Sequence, residues 1–241
     1  MKLIPPSWPA PANVHAAVTT RQGGVSRAPY DSLNLGDHVG DDPTAVAHNR
    51  LLLRESLALP SEPHWLSQVH GNCAIDAADS PSGCEADAVF SRDASEVCAV
   101  LTADCLPVLL CDSGGSVVAA VHAGWRGLLD GVIENTVARM AGWGEILAWL
   151  GPAIGPQAFE VGEEVRQAFI NEDVATAGAF APSPAGRWLA DIYALARRRL
   201  QRAGVDAIYG GEYCTFSDPE RFYSYRRDGV TGRMASLIWM E

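Results

Sequence analysis

Residues 97–127 read VCAVLTADCLPVLLCDSGGSVVAAVHAGWRG, in which three apolar runs alternate with small groups of reactive residues. Each run is rich in Val and Leu, has about the length of a buried strand and is too short for a typical helix. The tripeptide Ser113-Gly114-Gly115, between the second and third runs, favours a turn. The stretch therefore predicts strands in the interior of a sheet, with their reactive residues at the strand ends.

The reactive residues at these ends are Asp104 with Cys105, and His122. A further short apolar run, residues 65–70, ends in His70 beside a glycine, and it predicts another strand that ends in an imidazole. Two imidazoles and a thiolate are a common ligand set for zinc, which takes three protein ligands and keeps a fourth position open when it does chemistry. His70, Cys105 and His122 are therefore candidate zinc ligands.

Other interpretations of these residues stay open. A cysteine in a Val/Leu strand is usually a small buried hydrophobe, and the spacing of the three candidates matches no compact zinc-finger pattern. Cys105 is alternatively a nucleophile, with His70 or His122 as its base and Asp104 as an orienting group, which describes a cysteine hydrolase. The zinc interpretation depends on the convergence of the three strand ends.

Three blocks of the sequence carry a family resemblance: SQVHG at 67–71, TADCLPV at 102–108 and AVHAGWRG at 120–127. They resemble the signature blocks of the YfiH-like family, which is also called the laccase-domain or multicopper polyphenol oxidase family and peptidoglycan editing factor. The resemblance covers nearly the whole chain, including TRQGGVS at 20–26, SLNLG at 32–36, GPAIG at 151–155 and YSYRRDG at 223–229.

The resemblance implies a zinc enzyme that acts on purine nucleosides. It implies zinc held by His70, Cys105 and His122, and a single domain over residues 1–241 with a central β-sandwich flanked by helices. The implied reaction is phosphorolysis of adenosine, inosine, guanosine or methylthioadenosine to the base and ribose 1-phosphate, with weaker deamination of adenosine. A carboxylate such as Asp104 would move the proton in deamination, so Asp104 joins the three ligands as a candidate catalytic residue.

The names of the family carry two alternative activities. Editing of peptidoglycan precursors agrees with the cysteine hydrolase interpretation, in which Cys105 attacks the substrate. Copper-dependent oxidation of phenols needs more imidazoles than the blocks provide, because the chain has six His and only His70 and His122 lie in the blocks. Copper is therefore the less favoured metal.

Substrate contacts are expected from polar residues close to glycines. Guanidinium groups present a planar fork of donors to phosphate or carboxylate, and an amide both donates to and accepts from a ribose or a base edge. Arg126 also stands at a predicted helix start, where free N–H groups favour an anion. Asp87, among small residues, is a further candidate to face the site. The candidate substrate contacts are Arg21, Asn34, Gln68, Arg126, Arg226 and Arg233.

Composition is that of a globular enzyme. Of the 241 residues, 48% are hydrophobic and 20% are charged. The formal net charge of -11 argues against nucleic acid and anionic membranes as partners, because both demand a basic face. The six cysteines lack a disulfide-scaffold pattern, and the sequence has neither a signal-peptide core nor a run of 18 apolar residues. We expect a soluble, cytoplasmic monomer or small homo-oligomer that binds nucleoside and phosphate.

The remaining pattern predicts an α/β fold with strands in the middle and helices outside. Helices are predicted at residues 43–59, 124–142, 162–170 and 190–203, and further strands at residues 14–20, 86–90, 146–150, 207–209 and 236–240. An Ala, Pro and Gly-rich stretch at residues 175–186 predicts an exposed loop. In the last helix, the arginines at 197, 198, 199 and 202 are predicted to face solvent.

Overall fold

The computed structural model describes residues 1–142 and 144–241, and this part of the chain forms an α/β fold, as predicted. Its strands are β1 (Leu3–Ile4), β2 (Val14–Thr19), β3 (Ala74–Asp76), β4 (Ala88–Ser91), β5 (Val97–Thr102), β6 (Leu106–Asp112), β7 (Val118–Ala123), β8 (Ile146–Leu150), β9 (Glu160–Val161), β10 (Phe180–Pro182), β11 (Trp188–Ala190), β12 (Ala207–Gly210) and β13 (Met234–Met240). Its helices are α1 (Pro43–Leu57), α2 (Trp125–Leu129), α3 (Val132–Arg139), α4 (Glu163–Glu172), α5 (Ile192–Arg202) and α6 (Tyr225–Asp228), with a 3-10 helix at Val174–Ala179.

Two sheets form the centre of the fold. One has the strand order β1-β2-β13-β5, and the other has the order β12-β8-β6-β7-β4-β3. Most neighbours are antiparallel, but β3 with β4 and β8 with β12 are parallel, so the larger sheet is mixed. The two sheets pack face to face around one apolar core, and a small sheet, β10-β11-β9, lies outside them. The predicted central β-sandwich is confirmed.

The central strands are continuous apolar runs because both of their faces are buried. In β6, Leu106, Val108 and Leu110 pack into the core that lies under α2 to α5, whereas Leu109 and Cys111 pack against the opposite sheet. Successive side chains of a strand point to opposite faces, and here both faces are buried. The smaller sheet is covered on its outer face by α1, so the helices flank the sandwich on both sides.

The three strands predicted within residues 97–127 are present, but they divide between the sheets. β5 is the edge strand of the smaller sheet, whereas β6 and β7 form an antiparallel hairpin in the larger one. The chain therefore crosses from one sheet to the other at Asp104 and Cys105. Because His122 is near the end of β7, the hairpin brings His122 back to this crossing point.

Two predicted elements are corrected by the structure. The helix predicted at residues 124–142 is two helices, α2 and α3, separated by Gly131 with a φ of +88°. Glycine adopts this left-handed conformation without steric cost, and it ends the first helix there. The strand predicted at residues 65–70 is absent. The segment forms isolated bridges, His64 with Cys98 and Ser67 with Glu85, in place of a regular ladder.

Two further predictions are corrected where buried contacts replace part of the expected exposure. Residues 175–186 are a loop only at 183–186, where a mostly exposed turn joins β10 to β11. The rest belongs to the 3-10 helix and β10, and Phe180 packs on Phe169 in the core. Arg199 does not face solvent. It is 5% exposed and binds Glu134, Glu172 and the Leu129 carbonyl, which joins α5 to α3 and α4. Within the described residues, the helices are too short or too polar to serve as a membrane span.

Candidate metal centre

Cys105 and His122 meet because of the register of the β6–β7 hairpin. His122 lies opposite Pro107 in the ladder, so its side chain reaches the residue that precedes β6, which is Cys105. Asp104 turns the chain just before Cys105 with a φ of +90°, a conformation that residues with a Cβ rarely adopt. Backbone strain of this kind is typical of functional sites.

His70 reaches the site from a loop rather than from a strand end. Its own φ is +61°, which also lies in the left-handed region. The N–H groups of Val69, His70 and Gly71 all point at the carboxylate of Asp87, at distances of 2.7–3.2 Å. The loop is thus held by a buried carboxylate in place of a strand partner.

The three predicted ligands converge. One ligand atom from each of His70, Cys105 and His122 lies within 4.8 Å of the others. Cys105 Sγ is 3.8 Å from His70 Nε2, and the two imidazole rings meet edge to face with their centroids 4.8 Å apart. His122 is buried, Cys105 is half-buried and His70 is exposed, so the group is open on the side of His70.

Gly124 gives this group the room that it needs. A Cβ at this position would lie 3.0 Å from Cδ2 of His70 and 3.2 Å from Sγ of Cys105. The φ of Gly124 is -63°, which any residue can adopt. The glycine is therefore required by the closeness of the ligand side chains and not by its backbone conformation.

Charges in the group favour a thiolate. Burial raises the pKa of the Cys105 thiol, but the charges and hydrogen bonds of His122 and His70 outweigh this effect and lower the pKa to about 6. Burial lowers the pKa of His122, whereas Cys105 and Asp87 act in the opposite sense and raise it to about 9. A thiolate next to two imidazoles is a ligand set suited to zinc.

Two cavities open on either side of the group and share His70, Ala103, Cys105 and Tyr225 in their walls. The first, which we call the aromatic cavity, has a volume of about 240 Å³. Its apolar wall consists of Ala103, Trp125, Ile154, Phe159, Ile192 and Tyr225. The guanidinium groups of Arg126 and Arg226 lie over the rings of Trp125 and Phe159.

The second cavity, which we call the polar cavity, has a volume of about 420 Å³. Polar side chains line it, namely His38, Gln68, Thr102, His122 and Arg233. Burial lowers the pKa of Arg233. Arginine side chains in proteins nevertheless stay charged at neutral pH. The candidate metal group thus joins an apolar chamber to a polar one.

A family model described as multi-copper polyphenol oxidoreductase laccase matches residues 15–241. The chain belongs to this family. A purine nucleoside phosphorylase of Pseudomonas aeruginosa is 56% identical over 240 residues, which cover 99% of this chain and 98% of that protein. The purine nucleoside phosphorylase YfiH of Escherichia coli is 55% identical over 241 residues, 99% of each chain.

A solved structure agrees with these sequence relatives. The crystal structure of the Neisseria meningitidis protein NMB0706 superposes with a TM-score of 0.96 at 50% identity and covers 100% of both chains. The family resemblance that the three sequence blocks predict is therefore confirmed. The two sequence relatives are named as enzymes that act on purine nucleosides, which are small molecules.

Four of the six predicted substrate contacts lie beside the metal group of this laccase-family chain. Arg126 and Arg226 line the aromatic cavity, and Gln68 and Arg233 line the polar one. The side-chain amide of Gln68 also forms two hydrogen bonds with Leu101: Nε2 donates to its carbonyl, and Oε1 accepts from its N–H. Their roles toward a substrate stay predictions.

The other two predicted contacts lie outside both cavities. Asn34 is fully buried, and its amide binds Gly36, Asp41 and the backbone N–H of Arg233. Arg21 binds Asp31 and the carbonyl of Pro219, and it lies over the ring of Tyr223. In the structure both side chains hold loops together around the site.

Asp104 lies in the wall of the aromatic cavity, but its carboxylate is already occupied. Oδ1 accepts a hydrogen bond from Thr215 Oγ1, and Oδ2 accepts one from the N–H of Arg226, both at 2.6 Å. The carboxylate therefore ties the loop of Cys105 to α6, which carries Tyr225 and Arg226. The transfer of a proton by Asp104 stays a prediction.

Several residues of the site escape sequence reasoning. Trp125, Phe159 and Ile192 come from separate elements, and only the fold shows that they form one wall. Gly124 carries a weak signal, since a glycine directly after a ligand strand indicates close packing. Asp87, by contrast, is a candidate from the sequence, and the structure places it in contact with His122 and with the His70 loop.

Proposed function

We propose that this chain is a zinc-dependent purine nucleoside phosphorylase with a side activity as an adenosine deaminase. The observation that carries the proposal is the position of the His70, Cys105 and His122 group between an aromatic cavity and a polar one. The names of the relatives at 55–56% identity supply the reaction class.

The residues fit zinc. A thiolate and two imidazoles supply three ligands, the usual number in a catalytic zinc site. The fourth position of the metal would face the cavities, because the group is open on the side of His70. Gly124 keeps the side chains close enough to share one ion. When bound there, zinc would supply a Lewis acid that polarises an oxygen or lowers the pKa of a water.

The aromatic cavity suits the purine base. Trp125, Phe159 and Tyr225 offer ring faces, and stacking of a base on an aromatic side chain contributes about 1–3 kcal/mol. Among the described residues, the guanidinium groups of Arg126 and Arg226 form no ion pair with a carboxylate. Arg226 Nη1 donates to the carbonyl of Glu160 at 2.8 Å, and the remaining N–H groups of the two guanidinium groups can meet electronegative groups of the nucleoside at the cavity wall.

The polar cavity suits phosphate. Arg233 is anchored through Nη1 to the carbonyls of Thr231 and Gly232, and it likewise has no acidic partner in the described part of the chain. An anchored guanidinium is well placed to hold the phosphate next to the ribose. A phosphate oxygen would then bond to the anomeric carbon as the bond to the purine nitrogen breaks, and the base would leave with a proton.

Two alternatives keep specific support. The lowered pKa of Cys105 beside two imidazoles is what a cysteine hydrolase needs, so editing of peptidoglycan precursors is the second candidate. The family model is described as a multi-copper oxidase, and two imidazoles with a thiolate also bind copper. Within residues 1–142 and 144–241 only one such group of His, Cys or acidic residues is found, whereas a multicopper centre needs several.

Chromatography of adenosine with the protein, in the presence and absence of phosphate, tests the proposal. Adenine and ribose 1-phosphate formed only with phosphate support the phosphorylase, and inosine formed without phosphate supports the deaminase. If neither forms while zinc is bound, the nucleoside assignment is wrong. Oxygen uptake with a phenol and release of product from a peptidoglycan precursor then decide between the alternatives.

Arg233→Gln tests where phosphate binds. We expect the KM for phosphate to rise about tenfold or more with little change in the KM for adenosine, because a hydrogen bond to a charged group contributes about 1.5–3 kcal/mol. Arg54→Gln is the matched control, since Arg54 is exposed on α1, away from both cavities. Equal phosphate KM values in the two variants would place phosphate elsewhere.

A further inference from the structure

Asp87 makes hydrogen bonds that no other carboxylate of the site makes. It is fully buried, and Oδ1 accepts from His122 Nδ1 at 2.7 Å and from the N–H of His70 at 2.9 Å. Oδ2 accepts from the N–H of Gly71 at 2.7 Å and of Val69 at 3.2 Å. One carboxylate therefore contacts both histidine segments of the metal group.

We propose, building on the zinc site of the proposed function, that Asp87 is the positioning residue that sets both histidine ligands at once. It fixes the backbone conformation that delivers His70, and it fixes the ring nitrogen that His122 presents to the metal. Asp87 does not itself touch the metal or the substrate.

The effect on His70 follows from the backbone. With His70 at a φ of +61°, three successive N–H groups point to one side and form an anion-binding concavity. Residues with a Cβ reach this conformation at a cost of about 1–3 kcal/mol, and they keep it only where the surroundings impose it. Here the imposing group is a carboxylate with four hydrogen bonds, since the loop has no strand partner.

The effect on His122 follows from its tautomer. An ionised carboxylate only accepts hydrogen bonds, so His122 must donate from Nδ1, and Nε2 then faces Cys105 and His70. A histidine ligand that gives its other N–H to a carboxylate has a fixed ring orientation and a more basic metal-binding nitrogen. The backbone adds a second constraint, because the N–H of His122 donates to the carbonyl of Asp87 at 2.7 Å.

Asp87→Asn tests this role with almost no change in volume. The asparagine keeps one acceptor oxygen, but its NH2 group only donates. If the NH2 group replaces Oδ2, the N–H groups of Val69 and Gly71 lose their acceptor. If it replaces Oδ1, the N–H of His70 loses its acceptor and the NH2 group donates to His122 Nδ1. The second arrangement would place the proton of His122 on Nε2, where the metal must bind. We expect the dissociation constant for zinc to rise by about tenfold to a hundredfold, measured by competition with a chromophoric chelator.

Asp112→Asn is the matched control. Asp112 is equally buried and also accepts from three backbone N–H groups, those of Gly114, Ser116 and Val117. It stands at the opposite end of β6, in the turn to β7, far from the metal group in the hairpin. We expect this variant to lose thermal stability and to keep the zinc affinity of the unmodified chain.

The outcomes separate the possible errors. Equal zinc affinity in Asp87→Asn and Asp112→Asn would overturn the positioning role while leaving the zinc site intact. An unmodified chain that binds no zinc would instead remove the metal part of the proposed function. Selective loss of affinity in Asp87→Asn, with chromatographic behaviour unchanged, supports the proposal.

A second measurement does not depend on the variant folding. Long-range proton–nitrogen spectra of the zinc-loaded, unmodified protein report which ring nitrogen of His122 carries a proton. We expect a proton on Nδ1, protected from exchange by its bond to Asp87. A proton on Nε2, with Nδ1 on the metal, contradicts the proposal.

Discussion

Cys105 lies directly before β6 and Cys111 lies near the end of β6, and the two thiols have opposite chemistry. Cys111 is fully buried between the sheets, and burial with the nearby charge of Asp112 raises the pKa of its thiol. Cys105 is half-buried at the crossing between the sheets, and two imidazoles lower its pKa. The chemistry of each thiol is therefore decided by the location of its charged partners.

The backbone around the two cysteines differs in the same way. Cys111 lies within a regular antiparallel ladder, paired with Val118 on one side and Leu147 on the other. Cys105 follows Asp104, whose φ is +90°, and it faces His70, whose φ is +61°. Irregular backbone at the end of the hairpin brings polar side chains together, and regular ladder keeps them apart.

Loss of an imidazole should have the largest effect, because it removes a partner that makes Cys105 different. We expect His70→Ala to lose stoichiometric zinc, measured by elemental analysis, and to lose turnover by on the order of a thousandfold. His48→Ala is the control, since His48 is an exposed residue of α1. Retention of zinc and turnover by His70→Ala would remove the metal model.

Alkylation of the metal-free protein should separate the two thiols directly. The thiolate is the reactive form, so Cys105 should reach nearly its full rate above pH 6, while an ordinary thiol continues to gain rate up to about pH 9. We expect Cys105 to react about a hundredfold faster than Cys111 at pH 7, by peptide mass mapping. Zinc should suppress the reaction of Cys105, and an unprotected Cys105 would favour the hydrolase.

Filling the space at Gly124 should have a smaller effect. The Cβ of Gly124→Ala crowds His70 and Cys105, and overpacking of this kind costs about 1–3 kcal/mol. We expect the affinity for zinc to fall by about tenfold. Gly178→Ala is the control, because no atom lies within 4 Å of its added Cβ. Equal zinc affinities in the two variants would show that the ligands move apart without penalty.

The smallest effect should come from the interior thiol. Cys111→Ser places a hydroxyl in an apolar core, and we expect the free energy of unfolding to fall by about 1–3 kcal/mol, measured by urea denaturation. Zinc affinity should stay unchanged. Cys105→Ser should show the reverse pattern, with zinc lost and stability of the metal-free protein retained. If both variants lost zinc, or both lost stability alone, the contrast between Cys105 and Cys111 would be wrong.

The central strands and the candidate ligands can be predicted from the sequence, because each depends on a local pattern. Apolar runs of strand length predict β5, β6 and β7, and the reactive residues beside them predict the metal group. The His70 strand was wrong, since its apolar residues suggested pairing while Asp87 supplies the bonds instead. The continuous helix before Gly142 was wrong as well, because the interruption at Gly131 has no periodic signal.

Long-range packing limits what the sequence shows about the cavities. Phe159 and Tyr225 come from distant segments, and nothing local indicates that they share a wall with Trp125. The same limit explains Asn34 and Arg21, whose chemistry suits a ligand but whose partners in the fold are other loops. A polar side chain beside glycines indicates a turn as readily as a binding site.

The place of β13 in its sheet bears on how the protein folds. β13 lies between β2 and β5, where Ser236 pairs with Val18 on one side and with Val100 on the other. The smaller sheet is therefore complete only when β13, from the end of the chain, pairs with two strands from the first half of the chain. Such distant pairing raises the entropy cost of reaching the transition state, and it is typical of domains that fold in milliseconds to seconds. Without β13, the smaller sheet is split between β2 and β5, and the apolar inner face of the larger sheet is incompletely covered. We expect apolar surface exposed in this way to favour aggregation.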